Sequence, residues 1–335
     1  MANKLTFGFI YDFRNPPQWH KPWAERYAEI LDVIAWTEQA GFDGAWIAEH
    51  HMASDGYMPS PLVALAAIAA RTKRMKIGSG IALAPLYNPV RFATDCAVLD
   101  ILANGRIEMG LAIGYRKRET AAFGVDFTKR GKMFDEWLEI VTRLWAGEVL
   151  DWNSDFYRFS GAQIMPPPPR GKVPLFIGGF AGKAVDRVMK YGEGYLGTDE
   201  VCLACVEKMR EMGRDPAGVK VRITGVTTVV AEDPEVAMEE LAPYFHHVNN
   251  SYGEWFQEDQ VHDDSHAMKP MSLEDFKASG TLQILTPDAA ITMFKGLQEK
   301  MFLDHYMMSM PPGLPAERFV HYANTIATKV MPAFQ

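Results

Sequence analysis

The sequence predicts an α/β fold, a (β/α)8 barrel of the TIM type with insertions after strands four and seven. Eight short apolar runs alternate with helix-period stretches along 335 residues. The first third already reads βαβαβαβ at short spacing, the signature of a parallel sheet. The length fits one large barrel with insertions or two ordinary domains, and eight alternating units favour the barrel over a doubly wound sheet. We expect a single domain over residues 1–335.

Strand one, Leu5 to Tyr11, leads into a polar, proline-rich loop from Asp12 to Pro22. A helix from Ala24 to Ala40 keeps Tyr27, Ile30, Leu31, Ile34 and Ala35 on one face, and Gly41 stops it. The next stretch, Phe42 to His51, is a short apolar strand that ends in Glu49, His50 and His51. After a loop from Met52 to Ser60, an alanine-rich helix runs from Pro61 to Ala70, and strand three spans Met75 to Leu83. A helix from Val90 to Leu102 and the Asn104-Gly105 turn precede strand four, Ile107 to Ile113, and a polar loop from Gly114 to Glu119. An amphipathic helix from Arg130 to Trp145 and a small hairpin between Val149 and Ile164 follow. The run Pro166 to Pro169 is an extended connector into strand five, Pro174 to Gly179. Beyond it come a helix over Lys183–Tyr191, a strand near Gly194–Leu196, a helix over Val201–Met212 and strand seven, Lys220 to Val230. Residues Glu235 to Val248 read as helix, and Asn249 to Lys269 as a polar loop of functional length. A helix from Pro287 to Lys300, strand eight from His305 to Met310 and a helix from Ala316 to Val330 close the pattern.

Composition narrows the partners. Apolar residues at 48% supply a sizeable core, and a net charge of −8 argues against nucleic acid or an anionic membrane surface. The three cysteines are too few for a disulfide framework; Cys202 and Cys205 lie in a helical stretch and read as buried thiols rather than a zinc or redox pair. No signal peptide is evident, and the longest apolar run, Leu62 to Ala70, is short for a membrane span. The expectation is a soluble cytoplasmic protein.

In a parallel barrel, chemistry gathers at the carboxyl ends of the strands. There the sequence offers Tyr11 and Asp12, then Glu49, His50 and His51, then Gly80 and Ile81, Ala112 to Tyr115, and Gly178 to Lys183. It offers no paired catalytic carboxylates and no triad, which fits a cofactor doing the hard chemistry with a histidine assisting. An imidazole exchanges a proton near neutral pH. Adjacent histidines on a strand point to opposite sides, which weakens a metal reading, and no metal site is expected. A lone core histidine remains the bland alternative. The Gly178-Gly179-Phe180-Ala181-Gly182-Lys183 turn between a strand and a helix lets backbone N–H groups approach a phosphate, with Lys183 as a charge. Glycine turns after strands are common, and this one is not a Walker A sequence.

The order of features resembles the bacterial luciferase-like, flavin-dependent monooxygenases over nearly the whole chain. The resemblance rests on Phe42 to His51, on Gly78 to Pro85 with Asn88-Pro89-Val90-Arg91, and on Leu99-Asp100 with Gly105-Arg106. It continues through Gly110 to Gly114, Phe123-Gly124, Arg130, the helix around Trp137, the Gly178-Gly179 turn and Val330-Met331-Pro332. It implies a barrel that binds reduced FMN, O2 as co-substrate, a separate NAD(P)H:flavin reductase as supplier, a small apolar organic substrate and a homodimer. It implies that His50 is the catalytic histidine beside the flavin. Gly80-Ile81 would be a non-prolyl cis peptide under the isoalloxazine, flanked by Ala112, Gly114 and Tyr115. Backbone from Gly178 through Gly179, Phe180, Ala181 and Gly182 to Lys183 would hold the phosphate, and residues 250–285 would form a mobile lid. Two departures stand out. Ala112 and Ile113 replace luciferase's reactive cysteine and an arginine, and Phe180 and Lys183 replace a serine and a threonine. Hydride transfer with the deazaflavin F420 on the same barrel, or flavin binding without catalysis, are the alternatives.

Overall fold

The computed structural model describes residues 4–179, 182–259 and 268–335. Eight parallel strands close into a barrel in the order β1-β12-β9-β8-β7-β4-β3-β2. The chain divides into two compact units, each holding half of these strands.

The first unit comprises residues 1–46, 50–59 and 221–335. Its barrel strands are β1 (Thr6–Tyr11), β2 (Gly44–Ile47, whose last residue belongs to the second unit), β9 (Lys220–Thr224, whose first residue does) and β12 (Leu303–Ser309). Strand β1 pairs in parallel with β12, from Thr6 opposite His305 to Ile10 opposite Ser309. Backbones approach closely here, because a Cβ on Gly8 would come within 2.4 Å of the Gly44 carbonyl oxygen. Helices α1 (Trp23–Gln39), α10 (Pro287–Lys300) and α11 (Ala316–Thr325) belong to this unit. An edge-to-face aromatic cluster fills its core, with Phe7 on Phe294 at 5.2 Å, Phe294 on Tyr306 at 4.7 Å and Phe9 on Phe319 at 4.8 Å between centroids.

The second unit comprises residues 47–49 and 60–220. It holds β3 (Lys76–Leu83), β4 (Ile107–Ala112), β7 (Leu175–Ile177) and β8 (Gly194–Gly197) with helices α2 (Pro61–Arg71), α3 (Pro89–Leu102), α5 (Arg130–Trp145), α6 (Lys183–Tyr191) and α7 (Asp199–Glu211). Asn88 starts α3 by accepting hydrogen bonds from the Val90 and Arg91 amides. Arg106 closes α2, its Nη2 donating to the Ala69 and Thr72 carbonyls and its Nη1 to that of Met75. Phe92 packs on Trp137 at 4.7 Å, and the indoles of Trp137 and Trp145 donate to the carbonyls of Tyr87 and Ala93. The antiparallel hairpin β5 (Leu150–Asn153) and β6 (Arg158–Ala162) is the insertion expected between residues 149 and 164. Cys202 and Cys205 are buried, and neither is in a disulfide.

Four expectations fail. Strand seven is two strands: after β9 the chain turns at Gly225, where any Cβ would collide with the Tyr306 hydroxyl. It then resumes as β10 (Thr228–Val230), paired outside the barrel with β11 (Gln283–Leu285). The polar loop after strand four contains a short helix, α4 (Lys117–Ala122), with Arg116 and Glu119 buried and Arg116 Nη1 3.4 Å from Glu119 Oε1. The long helix α8 runs from Pro234 to Glu258, ten residues beyond the expected end. Residues 260–267 of the expected lid, with His262 and His266, lie outside the described residues. The following segment is tied to α8: Asn249 donates to the Lys269 carbonyl, the Met271 amide donates to Asn250, and Pro270 covers Gly253. A short helix, α9 (Leu273–Ala278), then leads to β11. The final helix stops at Thr325 and continues as a π-helical turn, Ile326–Val330. No described helix is long and apolar enough to cross a membrane.

Candidate active site

The described candidates lie late in a barrel strand or in the turn that follows one, and they fall into two groups, one in each unit.

In the first unit, His50 leaves β2 with its amide donating to the Met58 carbonyl (3.2 Å). Its side chain is buried. Aromatic rings pack on the imidazole: Tyr57 at 4.8 Å and Tyr252 at 5.5 Å, both edge-to-face, and Trp255 tilted at 5.0 Å. The hydroxyls of Tyr57 and Tyr252 are hydrogen-bonded at 2.9 Å. Burial, then the neighbouring Tyr252 phenol and the Asp12 carboxylate, push the Tyr57 hydroxyl well above its ordinary range, so it keeps its proton. His51 is only half-buried. The Tyr11 hydroxyl meets Thr37 of α1 at 3.1 Å, and burial raises its pKa, so it plays a packing part.

Sequence reasoning missed Tyr57, Tyr252 and Trp255, and beside them Arg14, Asp55 and His247. The Arg14 Nε donates to Asp55 Oδ2 at 2.7 Å, and His247 Nε2 lies 2.8 Å from the same oxygen. Burial alone would raise the Asp55 carboxyl, but the hydrogen bond from His247 and the charge of Arg14 outweigh it and hold the group below its usual range. Residues 247, 251 and 255 recur every four positions, a one-face helical stripe that ran through the stretch taken for loop.

In the second unit, Glu49 is buried and fully engaged: it accepts from the Leu83 amide and from the Tyr87 hydroxyl, each at 2.8 Å. It ties the end of β2 to the turn after β3. Burial and then the Glu49 charge push the Tyr87 hydroxyl well up, so it remains the donor. The Gly80–Ile81 peptide is cis. Ile81, Ala112 and Gly178 are brought together: a Cβ on Gly178 would stand 2.5 Å from Ile81 Cδ1 and 3.7 Å from Ala112 Cβ. Ile81 and Ala112 to Tyr115 stay partly exposed at the ends of otherwise buried strands. Gly114 turns with positive φ, and its carbonyl accepts from Arg130 Nε at 3.0 Å.

The glycine turn is described at Gly178, Gly179 and Gly182; Phe180 and Ala181 lie outside the described residues. Gly179 (φ 131°) and Gly182 (φ 91°) occupy the region that favours glycine, and Lys183, exposed, opens α6. Arg116 is engaged with Glu119, whereas Arg118 is exposed. Among the described residues no cluster of histidine, cysteine or carboxylates is arranged to hold a metal. An apolar cavity lined by Phe9, Leu241, Phe245, Met308 and Phe319 lies in the first unit, and no candidate residue lines it.

Comparison with known proteins places this geometry. A sequence model of the luciferase-like monooxygenases matches residues 5–291. The chain is 26% identical to the oxygenase component of a flavin-dependent trigonelline monooxygenase from Acinetobacter baylyi, over 92% of this chain and 90% of that protein. It is 31% identical to an F420-dependent glucose-6-phosphate dehydrogenase from Nocardia farcinica, over 63% of this chain and 67% of that one. In fold it is similar to a monooxygenase from Streptomyces bottropensis, with a TM-score of 0.82, 20% identity, and coverage of 99% of this chain and 100% of the other.

Proposed function

The chain belongs to the luciferase-like monooxygenase family, and from that premise we propose that it is the oxygenase component of a two-component, FMN-dependent system. It would take reduced FMN from a separate NAD(P)H:flavin reductase and use O2 on a small apolar organic substrate. The observation that carries this reading is the placement of His50, buried at the end of a barrel strand behind a wall of three aromatic rings.

The residues of the second unit fit such a cofactor. Ile81 and Ala112, partly exposed, and the buried Gly178 form a small apolar surface with no charged side chain, as the face of a planar ring system requires. The positive-φ glycines before α6 and the exposed Lys183 offer backbone and ammonium donors, as a phosphate requires. We assign Gly80, Ile81, Ala112, Gly114 and Tyr115 to the ring, and Gly178, Gly179, Gly182 and Lys183 to the phosphate. Reduced FMN, when bound, supplies the electrons that activate O2. His50 is the catalytic residue, holding or giving a proton where oxygen chemistry takes place. Tyr57, Tyr252 and Trp255 keep water from it. A homodimer belongs to the same proposal: the neighbouring helices α2 and α3 leave Val63, Val98, Ile101 and Leu102 exposed.

A second reading has its own support. The Nocardia farcinica relative makes F420 the alternative cofactor, with hydride transfer and no need for O2.

The role of His50 is tested by His50→Ala. The variant is expected to bind reduced FMN as the wild type does. On mixing with O2, it is expected to release hydrogen peroxide about tenfold faster or more, within the scale of a lost proton-transfer group. Release at the wild-type rate would remove His50 from the mechanism.

A further inference from the structure

We propose that Arg14 is a specificity-determining residue whose Nη1 holds a neutral, carbonyl-type oxygen of the organic substrate. That the ligand is a substrate rests on the oxygenase reading above; the rest is geometry within the first unit.

Arg14 follows β1, and its side chain is only 1% exposed. Of its five N–H donors, the one on Nε goes to Asp55 Oδ2 at 2.7 Å, and Nη2 donates to Ser251 Oγ at 2.6 Å. Nη2 also lies 3.1 Å from His247 Nε2, but that nitrogen is no acceptor. It is 2.8 Å from Asp55 Oδ2, and a carboxylate held ionised only accepts, so Nε2 carries the proton. His247 Nδ1 is then free to accept from Gln18 Nε2 at 3.2 Å. Nη1 is buried and has no hydrogen-bond partner among the described residues. Buried guanidinium donors are seldom left this way, and a ligand acceptor is the simplest completion.

Charge selects the kind of acceptor. Asp55 already balances the guanidinium, and Asp12, whose Oδ1 accepts from the Arg14 amide at 3.1 Å, adds a second carboxyl group. Nη1 therefore lacks an acceptor rather than a counter-charge, which favours a ketone, aldehyde, ester or amide oxygen over a carboxylate.

Position ties the donor to His50. The Arg14 Cζ lies 5.1 Å from the Tyr57 ring centroid and 5.8 Å from that of Trp255. These are two of the rings that pack on the His50 imidazole, at 4.8 and 5.0 Å. Guanidinium and imidazole thus stand no further apart than the sum of their distances to the shared Tyr57 ring.

The test is isothermal titration of the full chain with acetophenone, with ethylbenzene, which lacks the oxygen, and with benzoate. Acetophenone is expected to bind about tenfold more tightly than ethylbenzene, the scale of one buried hydrogen bond to a charged donor, and at least as tightly as benzoate. Arg14→Lys keeps a positive charge beside Asp55 but has no Nη1. It is expected to bring acetophenone down to the level of ethylbenzene and to leave ethylbenzene unchanged, with circular dichroism reporting that the variant folds. The wild-type comparison stands even where the variant does not fold. Equal affinity for the two neutral probes, or no binding of either, overturns the proposal, as does a preference that survives in folded Arg14→Lys. Tightest binding of benzoate also overturns it, in favour of an anion site. A titration with reduced FMN separates the two readings. An Arg14-dependent preference for the ketone without FMN affinity refutes the oxygenase reading and leaves a carbonyl site, and FMN affinity without the preference does the reverse.

Discussion

His305 shows how tightly single residues are specified inside the first unit. Trp46 Nε1 donates to its Nε2 at 2.8 Å, so the ring proton sits on Nδ1 and is given to Thr6 Oγ1, also at 2.8 Å. Burial first, and then the nearby Arg222 guanidinium, hold its pKa well below 6.5, so the folded imidazole stays neutral. An unfolded histidine takes up a proton below about 6.5. Below that pH the unfolded state binds about one proton more than the folded state, so stability rises with pH and falls as the solution is acidified. The expected erosion is about 1.4 kcal/mol per pH unit between about pH 6.5 and the depressed folded value. Urea unfolding at pH 7.0, 6.0 and 5.5, wild type against His305→Gln, measures this difference in slope; identical slopes would show that His305 is not held neutral. Little of this residue-level detail was legible beforehand. His50 announced itself by its place at a strand end. Arg14 was one more polar residue in a polar loop, and only the fold shows that α8 brings Ser251 and His247 to it.

Among the elements, the approach of β1 to β2 is a tight constraint. Gly8 faces the Gly44 carbonyl and the His305 ring: its Cβ would lie 2.4 Å from the one and 2.9 Å from His305 Nε2. Backbone on one side and a doubly bonded imidazole on the other leave nothing to give way. Gly8→Ala is therefore expected to cost about 3 kcal/mol, against less than about 0.5 kcal/mol for Gly218→Ala, which meets nothing within 4 Å. Their urea midpoints decide it, and a small shift for Gly8→Ala would mean that β1 and β2 are less closely packed than described. Element boundaries were readable where the helical pattern is strong, as for α2, α5 and α10. They were unreadable where tertiary contacts take over. Helix α8 continues through Asn249, Asn250, Ser251 and Gly253, poor helix formers, because Asn249 and Asn250 bond the 269–271 segment and Gly253 admits Pro270. Strand seven looked continuous because the side chain that crowds the chain at Gly225 is Tyr306, distant in sequence.

For the whole molecule, eight alternating units pointed to the barrel, because each contributes one largely buried parallel strand to it. The family was legible for a different reason: several of its marks lie at strand ends, where backbone geometry restricts the residue. What the chain does with that scaffold turns on which reduced cofactor it takes, since FMN commits it to O2 and F420 to hydride transfer. The direct measurement is anaerobic equilibrium titration of the purified protein with reduced FMN and, separately, with reduced F420, followed by admission of air. The expected result is saturable binding of reduced FMN at micromolar concentration, weaker binding of F420, and oxidation of the bound flavin that consumes O2. Tight binding of F420 with no affinity for reduced FMN would contradict the oxygenase assignment.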